Sequence, residues 1–276
     1  MILFPNAKIN IGLNILRKRS DGYHELESLF FPIGLKDVLE LVENGTSKVN
    51  LSLSGIPIDV EPESNIVLKA YRLLASEFLL PGIDIHLHKI IPYGAGLGGG
   101  SSDAAFLMKA LNDYFELKLS KEKLKHFALL LGADCSFFID NKPSLATGIG
   151  EILQNVGVDL SGYHLLLVKP PFGVVTSCAY ANIIPALPKN SLIDTLKKKP
   201  ENWSGLVNND FEPTVFQSYP DIERIKNILI ENGAVYASMS GSGSSVFGLF
   251  KSETPLTAVD FPKGYFIWKE ALLPFA

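Results

Sequence analysis

Residues 92–102 read Pro-Tyr-Gly-Ala-Gly-Leu-Gly-Gly-Gly-Ser-Ser, with glycine at five of eleven positions and two hydroxyls at the end. Glycine has no Cβ, so its backbone N–H can approach an anion closely. A helix starting near the serines adds unpaired N–H donors and a positive dipole end. Together these suit a phosphate. Gly94-Ala-Gly-Leu-Gly-Gly99 also fits the dinucleotide pattern G-x-G-x-x-G, which is a weak signal without its structural context. No Gly-Lys-Ser or Gly-Lys-Thr follows the glycines, so this is not a Walker loop. The bland alternative is a flexible surface loop. The mixture of glycine, Leu97 and helix-starting serines weighs against it.

Other residues offer chemistry to a phosphate. Asp134, in Gly-Ala-Asp-Cys-Ser-Phe-Phe, is a single carboxylate between Leu129-Leu130-Leu131 and Phe137-Phe138. A charge in apolar surroundings is costly unless paired. It is either a surface helix cap or a partly buried base, which burial makes more basic and a nearby cation less so. The flanking residues favour the base. Lys8 and Asn10 lie two apart on an alternating segment and share its polar face. That face is either solvated or a binding face. Arg17 to His24 is a loop with Asp-Gly turn chemistry. Its cations meet a phosphate or stay solvated. Tyr23 and His24 at its exit either hold a planar heterocycle or simply start a strand. Thr176 and Tyr180, four apart, share a face if their segment is helical.

These residues need elements to position them. Residues 83–89 alternate apolar and polar, which predicts a half-buried strand. Ser101 to Phe115 places Ala104, Leu107, Met108, Leu111, Tyr114 and Phe115 on one helical face, so the glycine loop joins a strand to a helix. A second helix over 120–131 follows. A dinucleotide unit instead needs a second strand ending in an acid about 20 positions on, so that reading loses its context. Gly132 suits a left-handed helix cap. Asn6 to Leu16 predicts a strand with Ala7, Ile9, Ile11, Leu13 and Ile15 on the core side. Strands are expected at 27–31, 37–43 and 48–53, the last two joined as a hairpin or meander around Asn44-Gly45. A helix is expected over 64–78. Later strands are expected at 145–153, 163–169, 234–238, 246–250 and 265–271. A helix is expected over 221–232, capped by Gly233, while 174–181 is left open. The pattern of elements puts a boundary near 155, giving domains 1–155 and 156–276.

The chain has 276 residues, a length for about two domains or one large one. Its hydrophobic fraction is 47%, its charged fraction 20% and its net charge −4, so no general basic surface attracts nucleic acid. Cys135 and Cys178 are the two cysteines. Two thiols in a chain this long make no disulfide framework and point to a reduced, cytoplasmic setting. Few cysteines and histidines argue against a structural zinc site. No basic region precedes the short apolar run at the amino terminus, and no apolar stretch has the length of a membrane span, so neither a targeting peptide nor a membrane partner is expected. Lys197-Lys198-Lys199 reads as a solvated helix end.

Three stretches resemble the GHMP kinase superfamily (galactokinase, homoserine kinase, mevalonate kinase, phosphomevalonate kinase). They are Asn6-Ala-Lys8, Pro92 to Ser102, and Ser240-Gly-Ser-Gly-Ser244 with Ser245. Within it, Ala-Lys-Ile-Asn-Ile-Gly-Leu at 7–13, Asp-Gly-Tyr-His at 21–24 and Gly-Ala-Asp at 132–134 discriminate. The resemblance runs from near residue 5 to about 250. It implies an α+β, two-domain fold: a ribosomal-protein-S5-like amino-terminal ATP-binding domain and a ferredoxin-like carboxyl-terminal domain, with substrate between them.

The implied activity is transfer of the ATP γ-phosphoryl group to the tertiary 2-hydroxyl of a methylerythritol carrying a cytidine diphosphate. That reaction belongs to non-mevalonate isoprenoid, or terpenoid, precursor biosynthesis. The implied cofactors are ATP and Mg2+, and a monomer or homodimer is expected. The resemblance gives Asp134 the role of general base and Lys8 that of the cation beside it, keeping it ionised. Lys89, Pro92, Tyr93, Gly94, Ala95, Gly96, Leu97, Gly98, Gly99, Gly100, Ser101 and Ser102 would bind ATP. Ser101 or Ser102 would also contact magnesium, Ser102 in the first place. Tyr23 and Tyr180 would flank the cytosine and His24 would bond its edge. Asn10, Thr176, Gly241, Ser242 and Gly243 would complete the acceptor site. Tyr180 stands where other members carry Phe, which stacking tolerates. Asp103 stands where an amide is common; near ATP phosphates its charge repels unless it turns away or toward a cation. Other readings are a homoserine or mevalonate acceptor, which offers no base to stack, and a non-catalytic nucleotide sensor, in which Lys8 or Asp134 would be lost.

Overall fold

The computed structural model describes residues 1–58, 61–181, 183–256 and 260–274. The chain forms two compact units. The first comprises Met1–Lys8, Gly34–Tyr93 and Gly98–Lys142; the second comprises Ile9–Ile33, Gly94–Leu97 and Pro143–Ala276.

In the first unit a four-stranded sheet has the order β1-β4-β6-β5. Its strands are β1 (Ile2–Leu3), β4 (Val38–Glu43), β5 (Asn50–Gly55) and β6 (Ile83–Lys89). The chain between β1 and β4 enters β2 (Asn6–Lys18) and β3 (His24–Lys36). β6 alternates as expected, burying Ile83, Ile85, Leu87 and Lys89 and exposing Asp84, His86 and His88. The hairpin expected between 37–43 and 48–53 does not form. β6 lies between the two strands, antiparallel to β4 with Leu39 opposite Leu87, and parallel to β5. Leu39 and Leu41 of β4 are fully buried and need an apolar partner strand. β6 supplies one, whereas Leu53 of β5 is exposed and suits a sheet edge.

Helix α1 (Ile66–Ala75) begins at Asn65, whose side chain accepts from Val67 N–H at 2.9 Å, and buries Val67, Leu68, Ala70, Tyr71 and Leu74. Helix α2 (Gly99–Tyr114) buries Ala104, Leu107, Met108 and Leu111 as expected, while Tyr114 is exposed. Helix α3 (Lys121–Leu131) is capped by Ser120. Gly132 is not a left-handed cap. Its φ of 169° is extended backbone, and the chain runs on into a 3-10 turn, Ala133–Ser136, and then α4 (Phe137–Asp140). The left-handed position is Asn141, at φ 54°, which ends α4.

Lys89 closes β6 and its charge goes inward. Nζ donates to Asp37 and, at 2.7 Å, to Asp103 Oδ2 of α2. Asp37 Oδ1 accepts from the N–H groups of Ile90 at 2.5 Å and Ile91 at 2.8 Å. All three side chains are almost completely buried. Burial works against the Lys89 ammonium, but Asp103 and Asp37 outweigh it and its pKa is raised. Burial pushes Asp103 well above the ordinary aspartate value, against the pull of Lys89. The carboxylate whose role the sequence left open is therefore turned toward a cation.

The second unit holds a sheet of order β2-β3-β7-β8, completed by β7 (Ser144–Thr147) and β8 (Ile152–Asn155). It also holds an antiparallel sheet, β10-β11-β9-β12, formed by β9 (Tyr163–Lys169), β10 (Tyr236–Met239), β11 (Val246–Lys251) and β12 (Phe266–Ala271). Its helices are α5 (Thr176–Ala181), α6 (Leu192–Leu196), α7 (Glu212–Ser218) and α8 (Pro220–Glu231). Ile222, Ile225 and Leu229 of α8 pack in one core with Val246 and Phe250 of β11. Gly233, at φ 94°, ends α8 in the left-handed region. Helix α7 was not legible in the sequence, because two turns with Val215 as the one buried apolar residue carry no readable period. β2 also departs from its expected half-burial: its polar side chains Asn6, Lys8 and Asn10 are as buried as the apolar ones. Among the described residues no helix is long and apolar enough to cross a membrane.

Two predictions follow from this packing. Lys89→Met would leave two carboxylates buried without their cation and should cost about 3–5 kcal/mol in urea unfolding. Asp103→Asn keeps the Lys89–Asp37 pair and an acceptor oxygen for Nζ, and should cost less than Lys89→Met. A lysine with a raised folded pKa contributes fully below its unfolded value and loses that contribution as pH rises through the folded one. The gap between the variants should therefore hold across neutral pH and close in alkali. The thiols should also differ. Burial pushes Cys135 up to about 11, whereas Cys178 is exposed. Ellman's reagent should titrate one thiol promptly in the native protein and the second after unfolding.

Candidate active site

In the first unit, β2 presents Lys8 and the 3-10 turn after α3 presents Asp134. Lys8 Nζ stands 3.3 Å from Asp134 Oδ2, with side-chain exposures of 4% and 34%. The cation is enclosed while the carboxylate keeps one side open. The end of the glycine loop adjoins them. Gly98 has φ 68°, and a Cβ there would stand 3.0 Å from the Phe138 ring and 3.3 Å from Lys8 Cε. Glycine at 98 thus allows the backbone to lie directly against Lys8. Helix α2 begins at the next residue with no acidic side chain in its first turn, so no carboxylate of that turn competes with an anion for its leading N–H groups. Ser101 is half-buried. Ser102 is fully buried, and its Oγ has no hydrogen-bond partner among the described residues. Pro92 is buried and Tyr93 exposed. Lys8, Asp134 and Gly98 to Ser102 are therefore brought together. Lys89 is not presented in the same way, because its Nζ is committed to Asp37 and Asp103.

In the second unit the loop tip, Gly94 to Leu97, rests on the late serine-glycine loop. Ser240 Oγ donates to Gly96 O at 2.8 Å and accepts from Asn10 N–H at 3.1 Å. Ser245 N–H donates to Ala95 O at 3.3 Å. Gly96 has φ 73°, and a Cβ there would lie 2.0 Å from Ser240 O, so another residue would force the two loops apart. Asn10 is buried; its Nδ2 donates to Ser28 Oγ at 2.9 Å. A Cβ on Gly241 would lie 3.3 Å from Asn10 Oδ1. Thr176 Oγ1 and Ser242 Oγ are hydrogen-bonded at 3.1 Å, and Gly243 has φ 90°. His24 stacks on Tyr180 with centroids 5.0 Å apart, and Tyr180 meets Phe211 edge-on at 4.7 Å. Tyr23 is exposed, with its N–H held by Asp21 Oδ1 at 3.1 Å. Asn10, Thr176 and Gly241 to Gly243 thus share one set of hydrogen-bonded neighbours, and His24 with Tyr180 forms an aromatic pair.

Some supporting residues escaped the sequence. Asn209 is buried and donates from Nδ2 to Met239 O and Gly241 O, both at 2.8 Å, while its Oδ1 accepts from Phe211 N–H at 3.0 Å. It fixes the base of the late loop, yet in Val-Asn-Asn-Asp it looks like an ordinary turn residue. Asp37 likewise looks like a solvated residue at a strand start. The hydroxyl of Ser240 lay inside a quoted motif, but nothing in the sequence indicated that it bridges Gly96 and Asn10. Among the described residues no group of three histidine, cysteine, aspartate or glutamate side chains could hold a metal.

A carboxylate beside an enclosed ammonium, next to a helix start, can take a proton from a hydroxyl while an anion is held at that helix start. Comparison with known proteins gives the same chemistry a family. Residues 65–142 match the GHMP kinases N terminal domain, and residues 183–259 match the GHMP kinases C terminal domain. The chain is 53% identical over 267 residues to the 4-diphosphocytidyl-2-C-methyl-D-erythritol kinase of Bacteroides fragilis, covering 96% of this chain and 97% of that protein. It is 45% identical to the enzyme of that name from Cytophaga hutchinsonii, covering 92% and 93% of the two chains. A crystal structure of 4-(cytidine 5'-diphospho)-2C-methyl-D-erythritol kinase superposes with a TM-score of 0.75 at 30% identity, covering 92% of this chain and 91% of that one. A mevalonate kinase structure, at 14% identity with a TM-score of 0.72, shares the fold. The chain has the two-domain α+β fold of this group, and it belongs to the GHMP kinases, in the branch of the 4-diphosphocytidyl-2-C-methyl-D-erythritol kinases.

Proposed function

We propose that this chain transfers the γ-phosphoryl group of ATP to the 2-hydroxyl of 4-diphosphocytidyl-2-C-methyl-D-erythritol, giving the 2-phosphate and ADP in isoprenoid precursor biosynthesis. The observation that carries the reading is the Lys8–Asp134 pair, 3.3 Å apart, set beside the start of α2. Phosphoryl transfer asks for positioning and charge neutralisation more than for covalent chemistry. Asp134 accepts the proton of the acceptor hydroxyl as its oxygen bonds to the γ-phosphorus and the bond to the β-phosphate oxygen breaks. Lys8 offsets negative charge on the attacking oxygen. The backbone N–H groups at the start of α2 hold the phosphates in line. Pro92 to Ser102 form the ATP loop in this reading. Lys89, whose ammonium is taken up by Asp37 and Asp103, serves that loop by anchoring the chain that enters it.

Mg2+ fits these residues. Ser101, Ser102 and Asp134 are hard oxygen donors of the kind that cation takes, and Ser102 Oγ is a buried hydroxyl with no partner among the described residues. A cation carried on the phosphates needs only one or two protein ligands, consistent with the lack of a three-residue cage among the described residues. When bound, it neutralises charge on the β- and γ-phosphate oxygens.

On the acceptor side we assign Tyr180 and Tyr23 to the two faces of the cytosine and His24 to its edge, with Asn10, Thr176 and Gly241 to Gly243 around the remainder. In the structure His24 lies on Tyr180, so the base enters by taking its place against the tyrosine ring. An aromatic pair at this site has no use for homoserine or mevalonate, neither of which carries a ring.

A coupled assay for ADP release with the three acceptors tests the reading. Turnover should require the cytidine-bearing acceptor; homoserine or mevalonate used equally well would overturn it. Asp134→Asn should lower turnover by about a hundredfold or more while ATP still binds, and undiminished turnover would remove Asp134 as the base. Tyr180→Phe should keep the acceptor KM near the parent value, while Tyr180→Ala should raise it by roughly tenfold or more. Equal KM values in both variants would remove the stacking role.

A further inference from the structure

Lys8 and Asp134 come from elements far apart in sequence, and a single contact between them is a loose restraint. Asp134 is one-third exposed, so this ion pair restrains the turn less tightly than a fully buried one would. A second link joins the same two elements. Asn6 lies two residues before Lys8 on β2, so both side chains leave the strand on the same side. Asn141 ends α4, the helix that follows the turn bearing Asp134. Their amides face each other: Asn6 Nδ2 donates to Asn141 Oδ1 at 3.2 Å, and Asn141 Nδ2 donates to Asn6 Oδ1 at 2.6 Å. Asn6 Nδ2 also donates to Ala7 O at 2.9 Å. Two opposed bonds between planar groups fix orientation as well as distance. Asn141 fills a second requirement, since its φ of 54° lies in the left-handed region, where asparagine is among the few tolerated side chains.

We infer that Asn6 and Asn141 form a reciprocal amide clamp that holds the Asp134 turn in register with Lys8, making them a positioning pair for phosphoryl transfer. The inference rests on the proposed roles of Lys8 and Asp134. Neither amide touches a reacting atom; each acts through the element that carries a reacting group. Misplacing a reacting group by about an ångström can cost up to about a hundredfold in rate, so a loosened clamp should be read in kcat.

The test uses Asn6→Ala and Asn141→Gly, the second of which removes the amide while suiting the left-handed backbone. Each should lower kcat about tenfold with the KM for ATP within about twofold of the parent. Asn141→Asp keeps the acceptor for Asn6 Nδ2 and should recover part of the loss. The double variant should be no slower than the slower single, because one broken clamp cannot be broken twice. Lowered thermal stability with kcat unchanged in both single variants would overturn the proposal, as would losses that simply add. Asp134→Asn measured alongside separates the two claims. If it keeps full turnover, the reading of Asp134 fails. If it loses turnover while both amide variants keep theirs, the clamp alone fails.

Discussion

A strand buried on both faces must satisfy every polar side chain it carries, and β2 carries three in alternation. Asn6 is met by Asn141, Lys8 by Asp134, and Asn10 by Ser28, with Ser240 on the Asn10 backbone. A buried amide or ammonium without a partner costs several kcal/mol, so each partner's element has one acceptable place. In the first unit Asn6 and Lys8 thereby locate the end of α4 and the turn after α3; in the second, Asn10 locates the serine-glycine loop. The polar face that looked solvated in sequence is a row of obligations, and the residues proposed for chemistry are among those that meet them.

The same economy governs the glycines. Gly98 admits its backbone against Lys8 and the Phe138 ring, and Gly96 admits its own against Ser240. Neither position is simply flexible. At Gly96 a Cβ would collide with the Ser240 carbonyl, and at Gly98 it would be tight against side chains and strained by the positive φ. A loop built in this way needs less rearrangement to meet a phosphate than a free one.

The local period of a segment was legible in the sequence where one face is apolar over several turns or pleats. β6, α1, α2, α3 and α8 were readable for that reason, and β9 as a continuous apolar run. Which strand pairs with which was not: Asn44-Gly45 has hairpin chemistry, yet β6, forty residues on, takes the place beside β4 because it alone offers a fully buried apolar face. The glycine loop, Lys8 and Asp134 could be picked out because their residue types are unusual in their surroundings. Asp37, Asn209 and the Asn6–Asn141 pair could not, because an isolated polar residue looks the same in sequence whether water or another side chain satisfies it. Asn6 was quoted within a motif, but its partner lies 135 residues away. The family resemblance brought names for the acceptor contacts; it said nothing of these supports.

The burial of Lys89 with Asp37 and Asp103 has a bearing on how such a chain can diverge. Three buried positions share one electrostatic sum, so no one of them is free to drift by itself. Loss of the ammonium alone leaves two carboxyl groups buried side by side without a cation. Positions 37, 89 and 103 are thus coupled energetically, and a substitution at one changes what the other two can bear.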